Sequence, residues 1–270
     1  MKLPVYKVDA FTDQLFGGNP AAVCPLDAWL PDDIMQSLAA ENNLAETTFI
    51  VKEDDYYRIR WFTPTVEVKL CGHATLATAH IFYTELGYTE EEIVFNSLSG
   101  LLKVSRQAEA VYRLDFPADK LHPVTNVPDE IFDGLGIGAV PVFKSSFDYL
   151  LVLHSQHEIE ALKPDFKLLA TLSDARGVIV TAKGDEADFV SRCFFPQSGI
   201  DEDPVTGSAH TSMVPYWAAQ LHKTTLKAIQ LSKRRGYLDC ELMGDRVLMT
   251  GSAVTYLKGE YVTAPSNLSA

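Results

Sequence analysis

Ala45-Glu46-Thr47-Thr48-Phe49-Ile50-Val51 opens a series of landmarks that this chain uses twice. After it come Arg60-Trp61-Phe62-Thr63-Pro64, Cys71-Gly72-His73-Ala74 and Gly100-Leu101-Leu102. The second half repeats the order with Ala175-Arg176-Gly177-Val178-Ile179-Val180, Arg192-Cys193-Phe194-Phe195-Pro196, Thr206-Gly207-Ser208-Ala209 and Gly236-Tyr237-Leu238. Cys71 and Thr206 stand 135 residues apart, half of 270. Solenoid repeats are far shorter, so this period predicts two copies of one α/β unit. Two copies facing each other would enclose a cleft, the usual setting for a small-molecule site.

The local pattern agrees with an α+β unit rather than a regularly alternating doubly wound sheet. Strands are predicted at 3–10, 21–24, 47–51, 57–62, 93–96, 101–105 and 111–116. Phe16-Gly17-Gly18-Asn19-Pro20 reads as a loop, because glycine permits positive φ and proline blocks continuation. Pro31-Asp32-Asp33 opens a helix that runs to about Asn42, and Gly72–Leu86 reads as an amphipathic helix. The polar, proline-bearing stretch Pro117 to Pro128 is the expected linker. It separates a first domain, 1–117 and completed by about 257–270, from a second, 118–256. In that second half, strands are expected at 141–143, 149–154, 177–181, 188–195, 228–232, 237–243 and 246–256. Helices are expected near 165–172 and from Gly207 past Trp217.

Composition excludes several classes. Net charge is −13, which argues against nucleic acid and against an anionic membrane surface. A small anionic metabolite remains open, because helix N-termini can hold it locally. The start shows no apolar signal region and no run long enough to span a membrane. Cys24, Cys71, Cys193 and Cys240 are far apart, so a reduced, cytoplasmic protein is expected. No cysteine, histidine and carboxylate share a metal-ligand spacing, and no metal is expected.

Chemistry concentrates at the two glycine motifs that precede helices. A helix start carries unpaired N–H groups and partial positive charge. A pair of them suits a carboxylate and its enolate-like form; the alternative is that Gly72 and Gly207 merely cap helices. Glu46 stands where the second copy has Arg176. At the mouth of a buried strand it would be partly desolvated and able to take and return a proton. Otherwise it is a salt-bridged surface residue. Cys71 at its helix start is either an activated thiol or a small buried side chain. Its counterpart Thr206 cannot act as a base near neutrality, which disfavours a symmetric two-thiol epimerase. His73 either polarises substrate or caps its helix. Asp203 either orients a substrate group or serves as a helix-start acid.

These motifs resemble those of the phenazine-biosynthesis PhzF-like family. The resemblance rests on Val8-Asp9-Ala10-Phe11-Thr12, Phe16-Gly17-Gly18-Asn19-Pro20-Ala21-Ala22-Val23, Asn43-Leu44-Ala45-Glu46-Thr47-Thr48-Phe49, Leu70-Cys71-Gly72-His73-Ala74-Thr75 and Asp203-Pro204-Val205-Thr206-Gly207-Ser208-Ala209-His210. It implies the diaminopimelate-epimerase-like fold, two similar domains each with a β-sheet curled around a central helix. It also implies a cofactor-independent isomerase, often a homodimer, whose founding activity moves a proton in trans-2,3-dihydro-3-hydroxyanthranilate. Glu46 matches the family's acid/base glutamate. His73, Asp203 and Ser208 match substrate-holding residues, and Asn19 lies in the loop that borders the site. On this resemblance the expected catalytic residues are Glu46, Asp203 and His73, and the expected substrate-binding residues are Asn19, Cys71, Gly72, Thr206, Gly207 and Ser208. Two other readings stay open: a racemase, epimerase or dehydratase that depends on Cys71, and a ligand-binding protein without catalysis.

Overall fold

The computed structural model describes residues 2–53 and 56–262; the 263–270 part of the expected completing segment lies outside the described residues. The chain divides into two compact units, Met1–Asp115 with Thr250–Ala270, and Phe116–Met249.

The first unit contains β1 (Lys2–Ala10), β2 (Asn19–Leu26), α1 (Asp32–Asn42), β3 (Glu46–Glu53), β4 (Tyr56–Phe62), β5 (Glu67–Val68), α2 (Gly72–Thr84), β6 (Glu92–Ser97), β7 (Gly100–Ala108) and all but the last two residues of β8 (Val111–Pro117). The second contains β9 (His122–Pro123), α3 (Asp129–Leu135), β10 (Val142–Lys144), β11 (Asp148–Val152), α4 (Gln156–Ala161), α5 (Phe166–Leu169), β12 (Gly177–Lys183), β13 (Phe189–Phe195), β14 (Ile200–Asp203), α6 (Gly207–Leu221), β15 (Thr225–Gln230) and β16 (Gly236–Met243). Strand β17 (Arg246–Val262) carries the chain from the second unit into the first, where it pairs with β1.

The pairing pattern is the same in both units. β2 and β3 are parallel, as are β11 and β12. β3 and β4 are antiparallel, as are β12 and β13. β4 then runs parallel to β6, and β13 parallel to β15. The hairpins β6–β7 and β15–β16 complete the match. A parallel pair needs a crossover, and helices supply it: α1 between β2 and β3, α2 between β4 and β6, α6 between β13 and β15. The repeated sequence landmarks therefore mark equivalent places in one duplicated unit. Even the buttress recurs, since Arg60 on β4 grips Glu67 bidentately and Arg192 on β13 grips Glu202.

Helix α2 differs from its expected form. It ends at Thr84, and every residue from His73 to Phe82 is buried. It is not amphipathic, because β1, β2, β3 and β7 pack against it from several sides. Small residues let the strands approach. The buried hydroxyls of Thr75 and Thr78 are satisfied by donating to the carbonyls of Cys71 and Ala74.

The expected linker is not a free connector. β8 runs to Pro117, Ala118 and Asp119 donate their N–H groups to the carbonyls of Asp245 and Thr211, and β9 pairs with β10. Proline and polarity there mark turns tied down by backbone bonds. Expected loop residues Asn19 and Pro20 begin β2. Helix α5 is only four residues, starting after an Asp165 cap. Helix α4 was not anticipated, yet its start is written in Ser155-Gln156-His157-Glu158. The Glu158 N–H donates to Ser155 Oγ, and the Glu158 carboxylate accepts from the His154 N–H. Among the described residues no helix is long and apolar enough to cross a membrane.

Each central helix buries a neutral histidine. His80 on α2 bonds Tyr112 and Thr255, and His210 on α6 bonds the Thr206 carbonyl. Burial pushes both imidazoles down to about 4. Unfolded histidine titrates near 6.5, so between roughly pH 6.5 and 4 the unfolded chain binds more protons. Stability is therefore expected to fall as pH drops through that window, by up to about 3 kcal/mol per histidine. Urea midpoints measured from pH 7 to 4.5 should decline in the wild type and decline less in His80→Gln. Parallel pH profiles for the two proteins would refute this source of acid sensitivity.

Candidate active site

In the first unit three strand and helix ends bring four predicted residues together. Glu46 is the first residue of β3 and is paired in register with Ala21 of β2. Cys71 is the extended residue that caps α2, with φ −146°, and His73 is the second helical residue. Asn19 begins β2 and is fully buried. The Glu46 Oε2 to His73 Nε2 distance is 3.0 Å, and the two side chains are 12% and 5% exposed. On the other edge of the ring, Nδ1 lies 3.1 Å from Asn19 Nδ2 and 3.5 Å from Cys71 Sγ. His73 is thus clamped between an amide, a thiol and a carboxylate, and it is not a mere cap.

The electrostatics follow from that enclosure. Burial opposes a charged imidazole, but the Cys71 sulfur and the Glu46 carboxylate outweigh it, and His73 is held well above the ordinary histidine value. The Cys71 thiol moves the other way from an activated cysteine. Burial first, and the Glu46 charge second, push it up to about 11, against the smaller downward pulls of His73 and the Ala74 N–H. A thiol of that kind is a poor base or nucleophile near neutrality. Gly72 begins the helix beside it, where the first-turn N–H groups and the helix dipole favour an anion.

In the second unit Asp203 ends β14 and Thr206 caps α6. The Thr206 hydroxyl donates to Asp203 Oδ2 at 2.5 Å. This hydroxyl is committed to holding the carboxylate, which accounts for threonine in a slot equivalent to Cys71. Gln230, the last residue of β15, binds the same loop from both sides. Its Nε2 donates to the Asp203 carbonyl and to Thr206 Oγ1, and its Oε1 accepts from the Thr206 N–H. Sequence reading passed over Gln230, since a glutamine ending a strand carries no local signal. Gly207 and Ser208 open the helix, and Ser208 Oγ accepts from Arg176 Nη2 at 3.0 Å. The two helix starts share one further device. Residue i+4 donates to the capping carbonyl, through Thr75 Oγ1 onto Cys71 and through His210 Nδ1 onto Thr206.

Arg176, the counterpart of Glu46, is bound to Asp148 through Nε and Nη2. Asp148 starts β11, directly across from Gly177 on β12. Sequence reading did not single out Asp148, because its partner lies on a strand whose pairing is not local.

The donor atoms of Glu46, Cys71 and His73 all lie within 4.8 Å of one another. Sequence spacing had pointed away from any metal-ligand grouping, since Glu46 is distant in the chain and only Cys71-Gly72-His73 is local.

The sequence profile described as phenazine biosynthesis-like protein (PhzC-PhzF) matches residues 8–259. A Pseudomonas aeruginosa protein named an uncharacterized isomerase is 50% identical over 259 residues, covering 96% of this chain and 98% of its own. The crystal structure of a PhzF-family phenazine biosynthesis protein from Enterococcus faecalis superposes with a TM-score of 0.93 at 46% identity, covering 97% of this chain and 100% of its own. A hydroxyproline epimerase from Agrobacterium vitis, at 10% identity and a TM-score of 0.62, covers 99% of this chain and 94% of its own, and it shares the epimerase-like fold.

Proposed function

This chain belongs to the phenazine biosynthesis-like (PhzC-PhzF) family, and from that premise we propose that it is an isomerase in which Glu46 moves a proton within a small carboxylate-bearing substrate. The observation that carries the reading is the 3.0 Å contact between Glu46 Oε2 and the enclosed His73 Nε2 at the start of α2. A carboxylate there can take a proton from a substrate carbon and return it to another carbon, while His73 steadies its charge. The electron pair left on the substrate delocalises into its unsaturated or carboxylate system. Gly72 and His73 N–H groups at the helix start stabilise the resulting anion. Asp203, Gly207 and Ser208 are assigned to substrate binding on the same helix-start chemistry, with Asn19 holding the ring of His73 in place. The proton transfer as written needs no cofactor, and trans-2,3-dihydro-3-hydroxyanthranilate is the substrate type that the resemblance of the motifs implies.

Incubation with a panel of cyclic carboxylates and amino acids in D2O, followed by NMR, tests the reading. At least one carboxylate with an acidic C–H should take up deuterium at enzyme-dependent rate. Binding of ligands with no deuterium uptake anywhere in the panel would favour a non-catalytic protein instead. A thiol-based epimerase is less favoured, because Cys71 is pushed up rather than down.

A further inference from the structure

We propose that Arg176 is a specificity-determining residue of this protein, which together with Ser208 selects a carboxylate on the substrate. The proposal rests on the reading of Ser208 as a substrate-binding residue given above. Its starting point is one contact that both units make. In the first unit, Glu46 at the entry to β3 meets His73, the second residue of α2, at 3.0 Å. In the second, Arg176 at the entry to β12 meets Ser208, the second residue of α6, also at 3.0 Å. The duplicated position holds a proton-accepting group in one copy and a permanent cation in the other.

The guanidinium is fixed on one edge and open on the other. Nε and Nη2 donate to the buried Asp148, and Nη2 also donates to Ser208 Oγ. Phe195 and Phe147 flank the group, with ring centres 4.8 and 5.7 Å away. Nη1 carries two further N–H groups, and among the described residues they meet no acceptor. This nitrogen is not buried, and the side chain as a whole keeps 37% of its surface exposed. An edge held in place in this way loses little freedom when it binds an oxygen. Ser208 adds a second donor. Arginine accepts nothing, so its bond occupies a lone pair of Ser208 Oγ and leaves the hydroxyl proton for another group. Among the described residues that proton has no acceptor either. A carboxylate has one oxygen for Nη1 and one for the hydroxyl, and its charge strengthens both bonds. A neutral amide of the same shape offers one oxygen and turns its own N–H donors toward the cation. The chain carries a net charge of −13, so an anion that docks here needs a local cation.

The test measures binding of two matched pairs to the full-length protein by calorimetry: anthranilate against anthranilamide, and benzoate against benzamide. Wild type should bind at least one carboxylate more tightly than its amide. The double variant Arg176→Met/Asp148→Asn removes the cation without leaving a buried charge unpaired. In it the affinity for that carboxylate should fall roughly 10–100-fold, as expected for loss of a hydrogen bond to a charged group, while amide affinity is little changed. Arg176→Lys keeps a charge but not the fork, and should lie between the two. Ser208→Ala should also narrow the preference for carboxylate over amide. Circular dichroism shows which variants are folded; if the double variant is not, Arg176→Lys and Ser208→Ala decide. An arginine kept only to neutralise Asp148 has no bearing on carboxylate against amide. An unchanged ratio in the folded variants, or no carboxylate preference in wild type, would therefore overturn the assignment. Binding and not turnover is read, so absence of deuterium uptake across the panel described above would remove the isomerase reading and leave this outcome standing.

Discussion

Glu46→Gln is expected to slow solvent-deuterium exchange by about 10²–10⁴-fold, the usual contribution of a positioned general base, while leaving the fold intact. The substitution is isosteric and keeps a polar end beside His73 Nε2. It removes only the ability to take a proton. Glu46 sits at the very start of β3, with its neighbours Thr47 and Thr48 buried, so the strand has no means to swing another carboxylate into its place. Glu46→Asp should fall in between, since the shortened side chain retreats from the ring. A second readout follows from the electrostatics. Glu46 is one of the groups that hold His73 above its ordinary value, so the imidazole of Glu46→Gln should titrate lower by NMR than in the wild type. Exchange within tenfold of wild type in a folded Glu46→Gln protein would remove Glu46 from the proton path. An unmoved His73 titration would show that the carboxylate and the ring are not coupled.

The landmarks that announced the duplication were legible because each carries a local physical demand. The Gly72 and Gly207 motifs open helices, Arg60 and Arg192 reach bidentate partners, and the apolar runs after Glu46 and Arg176 are strands buried in the sheets. Site residues at those landmarks were legible for the same reason. What escaped notice depended on pairing between distant strands. Gln230 holds the Asp203–Thr206 loop only because β15 lies parallel to β13, and Asp148 meets Arg176 only because β11 lies parallel to β12. The amphipathic reading of α2 failed on the same ground: periodicity reports one wet face, whereas sheet closure around a helix leaves none. Pro117 to Pro128 lies beside the change of unit at Asp115/Phe116, but composition describes what a segment can do when free and does not report the backbone bonds to Asp245 and Thr211 that hold Ala118 and Asp119.

The largest expected loss of stability from a single charge falls on Arg176→Met, the counterpart in the second unit of the Glu46 position. Asp148 is buried, with 3% of its side chain exposed, and its two oxygens bind Nε and Nη2 of Arg176. Burial wins over the guanidinium, so the Asp148 carboxyl lies above its ordinary value even with its partner in place. Without Arg176 the carboxylate would be buried and uncompensated. Breaking such a pair from one side costs ~3–5 kcal/mol. Arg176 keeps 37% of its own side chain exposed, so water would reach the vacated position and the expected cost is about 2–3 kcal/mol. At about 2–4 °C per kcal/mol for a chain of this size, the thermal midpoint should drop by about 5–10 °C. The guanidinium also stacks on Phe195 and Phe147, with its centre 4.8 and 5.7 Å from the rings. Methionine retains much of that packing, which leaves the orphaned charge as the main change. Adding Asp148→Asn should therefore restore most of the loss, because the amide carries no charge to desolvate. Equal midpoints for the single and double variants would mean that packing against the two rings, and not the ion pair, is what Arg176 contributes. A wild-type midpoint in Arg176→Met would show that Asp148 finds its compensation elsewhere in the second unit.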